Sequence, residues 1–521
     1  MDRPRSLISR LSMRTSNDVK LLKKEFEMTR LHLATTALLL SLGGCVTGPN
    51  HVPPEMPMPE KFAEGGTKSN GLIVADRWWT AFADKQLDNL VGQGFDHNFD
   101  ILQANESINS AAANVTVAGA GALPSLNVSA SHTVSGEMGT QRTTIGATNT
   151  TGGSASVSWL LDIFGQYRRS KEAALASLDA AYASADDTRL SFLKDLTSTY
   201  IDARYYQQRL ALSYANLKSR RETYSLTQME FRVGAASQLD IAQAEGLVQS
   251  TLADIPGLKN NFNKSAHHIA TLVGLPASAL TAELEKARGQ PVYGGDIQAG
   301  IPADLIRNRP DIRKAERELA EAIANIGVAE SKLYPSLTLS GSISPSWVNP
   351  AGTSGGGLTS WSFGPSLSLP IFDGGSLRAN VDISKSDAKG QYLAWREAVL
   401  NGIEEVENAL SSVRRDAKTV KAQQRQVETA EESLRLSTGS YKEGASSLLD
   451  VLDAQRSVSS AQSDLAASVQ QVAKDYVDLY VAVGAGYGQP DAPAPKPSVS
   501  QRQASLVTVR QAQRARNGLA N

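Results

Sequence analysis

Cysteine is almost absent from the chain, and this absence excludes a fold held together by disulfides. The 521 residues include one cysteine, Cys45, and only 6 % of the residues are aromatic. A compact core built from large side chains is therefore not expected. Alanine, serine, leucine and glycine are abundant instead, a composition that suits long helices whose backbones pack closely.

Net charge and catalytic residue patterns are also missing. The 52 basic and 53 acidic residues nearly cancel, which argues against nucleic acid as a partner. The glycine-rich segments 354–358 and 484–488 lack the strand–helix setting and the lysine of a phosphate-binding loop. His267 and His268 are adjacent, so they point to different faces of a helix and make a poor metal pair. The sequence predicts that the chain is not an enzyme and binds no metal or dissociable cofactor.

The apolar run ahead of Cys45, residues 33–42, is too short to span a bilayer as a helix. It follows a basic Arg30 and precedes Gly43-Gly44-Cys45, which is the organisation of a secretory signal peptide. The ending resembles a bacterial lipobox, in which the cysteine is lipidated and becomes the first mature residue. We therefore expect a signal peptide over residues 1–44, with Met28 as an alternative start, and a covalent lipid on Cys45. The alternative is a plain signal peptide with a chance cysteine.

After this leader the chain divides into two similar halves. Each half has the pattern helix, two strands, very long helix, turn and helix, and the segment ALPSLNVS at 122–129 matches LYPSLTLS at 333–340. We expect a lipidated Pro-rich segment over 45–80, a first structural repeat over 81–290, a second over 291–484, and a disordered tail over 485–521. The tail is Pro-rich and then basic, without apolar periodicity.

Two pairs of segments alternate apolar with small polar residues, which predicts strands with one apolar and one polar face. The predicted apolar positions are Leu126, Val128, Ala130, Val134, Ala155, Val157, Trp159, Leu161, Leu337, Leu339, Ile343, Trp361, Phe363, Leu367, Leu369 and Ile371. A soluble sandwich would show the same alternation, but strands of about ten residues also fit a tilted membrane crossing. Four strands cannot close a membrane barrel. Either several chains contribute to one barrel or the strand interpretation is wrong.

From Leu175 to Phe231 apolar residues recur at alternating spacings of three and four. Such a seven-residue repeat is typical of coiled-coil packing. About sixty residues at roughly 1.5 Å per residue predict a rod near 90 Å long. A matching helix begins after Gly375 and runs toward Tyr441.

A similar turn ends both predicted rods. Seven of eighteen residues are identical between FRVGAASQLDIAQAEGLV, which begins at Phe231, and YKEGASSLLDVLDAQRSV, which begins at Tyr441. Gly234 and Gly444 suit the left-handed position after a helix. Ser237 and Ser447 suit helix N-caps, with Asp240 and Asp450 three residues later in an acidic variant of the capping box.

The differences between the two copies raise a separate question. Gln243 in the first copy becomes Asp453 in the second, and Gly246 becomes Arg456. Leu449, Asp453 and Arg456 lie on one helical face. Repeated around a symmetry axis, the carboxylate would form an acidic ring; alternatively, Asp453 and Arg456 form a solvated surface pair.

Several further segments show a resemblance to the outer-membrane efflux protein family of TolC-like channels, most closely to the NodT-type lipoprotein branch that serves resistance–nodulation–division (RND) pumps. The resemblance runs from Cys45 to about Val483. It rests on the lipobox with its Pro-rich start and on four segments: WWTAFADKQLDNL (78–90), RPDIRKAERELAEAIANIGVAESKLYPSL (309–337), LPIFDGG (369–375) and YKEGASSLLDVLDAQRS (441–457).

The resemblance implies a mixed α and β membrane protein, a homotrimer with a 12-stranded outer-membrane β-barrel continuous with a 12-helix periplasmic α-barrel. It implies a periplasmic gate formed by Leu449, Asp450, Asp453 and Arg456. It also implies adapter-contact tips, which comprise Val233, Gly234, Ala235, Glu443, Gly444 and Ala445.

The expected function is a passive exit channel for small molecules such as drugs, located in the Gram-negative outer membrane and extending into the periplasm. Its expected partners are a periplasmic adapter and an inner-membrane RND pump, besides outer-membrane lipid. Two alternatives stay open: an outer-membrane duct for protein secretion, and a lipid-tethered periplasmic coiled-coil scaffold. The sequence names no substrate.

Overall fold

The computed structural model describes residues 46–64, 77–136, 147–286, 288–294, 308–350 and 354–487. Cys45, the predicted signal peptide and all of the predicted tail beyond residue 487 lie outside these residues.

A short 3-10 helix, Trp78–Phe82, precedes the regular elements. These elements are α1 (Lys85–His97), α2 (Phe99–Ala120), β1 (Ser125–Ser135), β2 (Thr148–Leu161), α3 (Gln166–Arg232), α4 (Gln238–Leu272), α5 (Thr281–Leu284), α6 (Pro310–Ser331), β3 (Ser336–Pro350), β4 (Gly356–Ser368), α7 (Ser376–Lys442) and α8 (Leu448–Ala482).

The chain forms two compact units, and each unit draws on both halves of the sequence. The first comprises Met1–Val52, Asn114–Ala174 and Ala320–Ala388. Its four strands form one antiparallel sheet in the order β1-β2-β3-β4. Val157 pairs with Leu126 on one side and with Gly341 on the other. The predicted apolar positions within the four strands therefore lie on one face of the sheet, and the serines lie on the other face.

The end of β4 differs from the sequence prediction. The alternation predicted Leu369 and Ile371 as strand positions, but β4 ends at Ser368. Pro370 lies two residues beyond this end, and proline cannot donate a ladder hydrogen bond. Asp373 then accepts hydrogen bonds from the backbone N–H groups of Gly375 (3.0 Å) and Leu377 (2.6 Å). This turn starts α7 and leaves Ile371 92 % exposed.

The second unit comprises Pro53–Ala113, Leu175–Leu319 and Lys389–Asn521, and it contains the main core. Trp395 and Tyr200 are completely buried there. The Trp78 ring stacks on Tyr480 with 5.6 Å between centroids, and its indole N–H donates to the Ala485 carbonyl (3.1 Å). Aromatic residues are few, but they are concentrated at this core.

Corresponding elements of the two halves match in length. Helices α3 and α7 each contain 67 residues, and α4 and α8 each contain 35. The predicted rods from Leu175 to Phe231 and from Gly375 toward Tyr441 fall within α3 and α7.

The ends of α4 and α8 are held by equivalent contacts. At α4, the Asn98 amide donates to the Leu272 carbonyl (2.9 Å), and at α8 the Arg309 guanidinium donates to the Ala482 carbonyl (2.8 Å). The residue that stands two positions beyond each helix is a glycine with positive φ, Gly274 and Gly484. A side chain at either glycine would collide with the backbone of residue 97 or 308.

No helix in the described residues combines the length and the apolar character that a transmembrane helix requires.

Candidate functional site

The two turns that join α3 to α4 and α7 to α8 have the same backbone. Ala235 N–H donates to the Glu230 carbonyl and Ala445 N–H donates to the Ser440 carbonyl, both at 2.8 Å. Gly234 N–H and Gly444 N–H each donate to the carbonyl three residues earlier, at 3.0 and 2.9 Å, which completes two Schellman motifs. Gly234 has φ 77° and Gly444 has φ 74°. Nothing lies within 4 Å of a Cβ added at either glycine, so backbone conformation and not space requires glycine there.

Both return helices begin with the predicted capping box. Ser237 Oγ accepts from Asp240 N–H (3.2 Å), and the Asp240 carboxylate accepts from Ser237 N–H (2.8 Å). Ser447 and Asp450 make the same two bonds at 3.4 and 2.9 Å. The hydrogen bonds from Ser237 lower the pKa of Asp240. The capping prediction is therefore confirmed in both copies.

The predicted tip residues lie at the outermost part of these turns. Val233 is 80 % exposed. The other five tip positions, Gly234, Ala235, Glu443, Gly444 and Ala445, are also exposed. The described residues of the chain bury none of them, so all six are accessible to a second protein in this part of the structure.

The first turns of α4 and α8 pack against each other through a small apolar cluster. Its buried members are Ala244, Leu247, Leu448 and Leu452, with Tyr224 and Tyr441 packed at its edge. This cluster is separate from the main core. This small set of apolar contacts holds the second turn against the first.

The four predicted gate residues lie together on the opposite, exposed face of α8. Leu449 is 46 % exposed, and Asp450, Asp453 and Arg456 are also exposed. Arg456 Nη1 lies 2.5 Å from Asp453 Oδ1, although both side chains remain about half exposed. The surface pair therefore exists within one chain. The face that carries it is not covered by the described part of this chain.

Two polar contacts beside the second turn were not predicted from the sequence. The Tyr441 hydroxyl donates to the Glu230 carboxylate, and burial together with this bond raises the pKa of Tyr441. Deeper along α8, Gln455 Nε2 donates to Thr223 Oγ1 (2.8 Å) on α3. The sequence does contain a sign of the Tyr441 contact. The residue corresponding to Tyr441 in the first copy is Phe231, which has no hydroxyl.

Arg220 interrupts the apolar period of α3 because it binds the return helix. It is buried, and its Nη1 donates to Thr251 Oγ1 (2.5 Å) and to the Leu247 carbonyl (3.3 Å). Burial lowers the pKa of Arg220; Asp254 opposes this effect and Arg456 adds to it. The arginine connects α3 to α4 behind the first turn.

A buried carboxyl group lies farther along α8. Asp475 is 3 % exposed, and its Oδ1 accepts a hydrogen bond from Gln471 Nε2 (2.8 Å). Burial, together with the neighbouring Asp416 on α7 and Asp478, raises the pKa of Asp475 to about 7. The corresponding residue of α4 is the uncharged Ser265. This acid is a second point at which the halves differ in charge.

Metal-ligating side chains do not converge in the part of the chain that the structure describes. No group of three or more His, Cys, Asp or Glu residues there could hold a metal ion. His268 Nε2 lies 2.9 Å from Asp195 Oδ2, which gives that histidine a partner across to α3.

Comparison with known proteins gives consistent results. The model of the family described as outer membrane efflux protein matches residues 90–275 and 301–485. Nodulation protein T of Rhizobium leguminosarum bv. viciae is 56 % identical over 469 residues, which cover 90 % of this chain and 96 % of that protein. The outer-membrane channel OprN has a similar structure, with a TM-score of 0.76 and 29 % identity over 85 % of this chain and 100 % of OprN. The open state of the MtrE outer membrane channel of Neisseria gonorrhoeae has a TM-score of 0.74 and 29 % identity over 85 % of this chain and 99 % of MtrE.

Proposed function

Since the chain belongs to the outer membrane efflux protein family, we propose that it is the outer-membrane exit channel of a tripartite efflux system. In this proposal it passively conducts small molecules from an inner-membrane RND pump and a periplasmic adapter to the exterior. The observation that carries the proposal is the pairing of a sheet that has two unpaired edges with helices that end in two exposed turns.

The sheet supports a homotrimeric barrel. An open sheet edge is not tolerated in hydrocarbon, because its backbone groups have no partner. β1 and β4 are the two edges of a four-stranded sheet, and three such sheets supply twelve strands. The four long helices, α3, α4, α7 and α8, would supply twelve helices of a periplasmic α-barrel in the same way. The duplicated contacts at Asn98 and Arg309 support the internal duplication.

The lipid anchor belongs to the same proposal. Cys45 would carry a covalent lipid and tether the mature chain to the outer membrane, after removal of residues 1–44. The domain division is the one expected from the sequence, with repeats at 81–290 and 291–484. One acyl-bearing residue only tethers a protein, so the spanning function is assigned to the strands.

The second turn would form the periplasmic gate. Around a threefold axis, the exposed face with Leu449, Asp450, Asp453 and Arg456 would be brought near the same face of the other two copies. Three Asp453 carboxylates near one axis repel one another and favour a cation or an arginine as partner. Tyr441–Glu230 and Gln455–Thr223 hold α7 and α8 against α3 and so keep this face in place.

The exposed tips would meet the periplasmic adapter. Four of the six tip residues are glycine or alanine, and the two glycines keep the turn backbone in a conformation that other residues adopt at a cost. A partner protein that packs directly against the backbone of the turns would fit this surface.

Single-channel conductance in a planar bilayer tests the gate. Asp453→Ala should convert a nearly closed channel into one that passes a steady current, because the contacts of the Asp453 carboxylates with an arginine or a cation at the constriction would be lost. Gln243→Ala is the matched control in the first copy and should leave the current unchanged. Equal currents in all three proteins would place the gate elsewhere and leave Asp453 and Arg456 as a surface pair.

Insertion of the protein into the membrane distinguishes the channel from the scaffold alternative. A scaffold would give soluble chains after Cys45→Ser and no conductance, whereas a channel should keep its heat-dissociable oligomers in the membrane fraction. A protein-secretion duct would conduct as well; it is distinguished by unchanged sensitivity of cells to toxic small molecules when the chain is deleted.

A further inference from the structure

The polar face of the sheet consists almost entirely of hydroxyl groups. On β1 every second residue from Ser125 to Ser135 is Ser, Thr or Asn, and on β3 every second residue from Ser336 to Ser346 is Ser or Thr. Strand pairing places Ser156, Ser342 and Ser362 side by side in one row across β2, β3 and β4. This face therefore presents neutral groups that both donate and accept hydrogen bonds.

Neighbouring hydroxyl groups on this face bind one another. Ser342 Oγ lies 3.2 Å from Ser362 Oγ, and Ser344 Oγ donates to Ser154 Oγ at 3.3 Å. Ser360 Oγ donates to the Ser344 carbonyl at 3.4 Å. Hydroxyl groups that already have partners within the sheet hold a passing solute only weakly, because a new hydrogen bond replaces an existing one.

Charged side chains stop at the ends of the strands. None of the residues in β1, β2, β3 and β4 is Asp, Glu, Lys or Arg. Asp162 follows β2 directly and pairs with Arg168 (3.4 Å), and Lys332 precedes β3. Within the four strands the one ionisable side chain is His132, which lies on the apolar face with its Nδ1 2.8 Å from Thr151 Oγ1. The polar face is therefore neutral along the whole length of the strands.

Burial in a membrane explains neutral residues on one face of the sheet only. The apolar face has to be uncharged in lipid, because a charge in hydrocarbon is costly. The polar face has no such requirement, since the lumen of a barrel is hydrated and charged residues there set which ions pass. The hydroxyl lining of this face therefore points to a property of the lumen.

We propose that the strands form an exit that does not select by charge, so that cationic, anionic and neutral solutes pass this section alike and any sorting by charge occurs outside the strands. This proposal rests on the proposed function, since it requires the polar face to line a lumen. Conduction needs groups that bind a solute weakly enough to release it, and a lining of neutral hydroxyl groups meets this need for solutes of either charge.

Cysteine labelling tests which face of the sheet meets water. Ser342→Cys places a thiol on the polar face, and Ile343→Cys places one beside it on the apolar face. Within one chain Ile343 is 45 % exposed and Ser342 is half-buried, so the bare chain favours labelling at residue 343. A charged methanethiosulfonate reagent does not enter hydrocarbon, so in membranes we expect labelling of Ser342→Cys to be about tenfold faster than that of Ile343→Cys. The unaltered protein controls for reaction at Cys45, and the unfolded variants should react equally.

The same thiol tests the neutrality of the lining. Ser342→Cys is combined with Asp453→Ala, so that a closed gate does not limit the current, and the K⁺/Cl⁻ permeability ratio is measured from the reversal potential. A reagent that carries a sulfonate should raise this ratio, and one that carries a trimethylammonium group should lower it. We expect a change of about 1.5-fold in each direction at 0.1 M KCl and little change at 1 M, because salt screens the added charges.

The outcomes separate this inference from the proposed function. A permeability ratio that responds to only one of the two reagents would show that the strand section already selects by charge, and it would overturn the inference. In a conducting channel, labelling that is no faster at residue 342 than at residue 343 would also overturn it and leave the proposed function intact. Absence of conductance from both the unaltered protein and Asp453→Ala would overturn the proposed function itself.

A second measurement does not depend on introduced cysteines. The triple variant Ser156→Ala/Ser342→Ala/Ser362→Ala removes one row of hydroxyl groups across three strands. In the Asp453→Ala background we expect the same conductance and the same K⁺/Cl⁻ permeability ratio as without the triple change, because weakly binding neutral groups favour neither ion. A changed ratio would show that this row is an ion-binding site and would overturn the inference.

Discussion

The two helix turns share one backbone and differ in the side chains that surround it. Both have a Schellman motif and a capping box with the same hydrogen bonds. The first turn places Gln243 and Gly246 on its return helix, where the second places Asp453 and Arg456. The first also has Phe231 where the second has Tyr441 bonded to Glu230. The shared residues account for the turn, so the differing residues are the ones to test for a function of their own.

The apolar cluster between the turns is expected to give the largest effect. Leu452 is 1 % exposed and packs in this cluster, so Leu452→Ala should cost about 2–5 kcal/mol of local stability. Hydrogen exchange of the N-terminal turns of α8 measures this cost. Leu449→Ala, three positions earlier on the same helix but 46 % exposed, is the control and should cost much less. Equal costs would show that the second turn is not held by this cluster.

The buried acid Asp475 should make stability depend on pH, which gives a second test of the difference between the two halves. Its pKa is about 7 in the folded chain against an ordinary 3.8, so the folded state holds the proton more tightly. The contribution of Asp475 to stability should be greatest below about pH 4, decline as the pH rises from about 4 to 7, and stay flat above that range.

Asp475→Asn should remove this decline and stabilise the chain at pH 7.5 by about 2 kcal/mol, because a neutral group no longer loses hydration on burial. The midpoint of thermal loss of helical circular dichroism, measured from pH 4 to 8, tests this. Asp464→Asn is the control, since Asp464 is an exposed aspartate on the same helix. A decline of the same size in Asp475→Asn would contradict the assignment.

Removing one hydroxyl makes the second copy more like the first. Tyr441→Phe deletes the bond to the Glu230 carboxylate, and a hydrogen bond to a charged group contributes about 1.5–3 kcal/mol. We expect faster hydrogen exchange at the end of α7 and more frequent channel openings. Phe231→Tyr in the first turn is the reciprocal control and should change neither quantity. Unchanged openings in Tyr441→Phe would separate this bond from gating.

The turn glycines are expected to give the smallest effect, and an equal one in both copies. Gly234→Ala and Gly444→Ala should each cost about 1–2 kcal/mol, because an L-residue is strained at positive φ. Gly246→Ala is the control inside a helix, where nothing lies within 4 Å of the added Cβ, and it should stabilise by about 0.5–1 kcal/mol. Local hydrogen exchange measures all three. A clear difference between Gly234→Ala and Gly444→Ala would show that the two turns do not share one backbone requirement.

Much of the local structure could be predicted from the sequence, because it depends on residues that are close along the chain. The caps at Ser237 and Ser447 involve partners three residues away, and the helices follow a short repeat. The four strands were predicted from a two-residue alternation, and the error at Leu369 arose because Pro370 was given too little weight. The gate, tip and lipid assignments stay predictions, since they concern contacts with other molecules.

The sequence by itself determined most of the positions of helices, strands and turns, and the positions at which the two similar turn segments differ. Only the tertiary structure decided which distant groups meet, such as Tyr441 with Glu230, Gln455 with Thr223 and β2 with β3. It also decided that Asp475 is buried while Asp453 is exposed, although both are aspartates on one helix. The physical reason is that capping and periodicity act within a few residues, whereas burial and pairing depend on how separate elements pack.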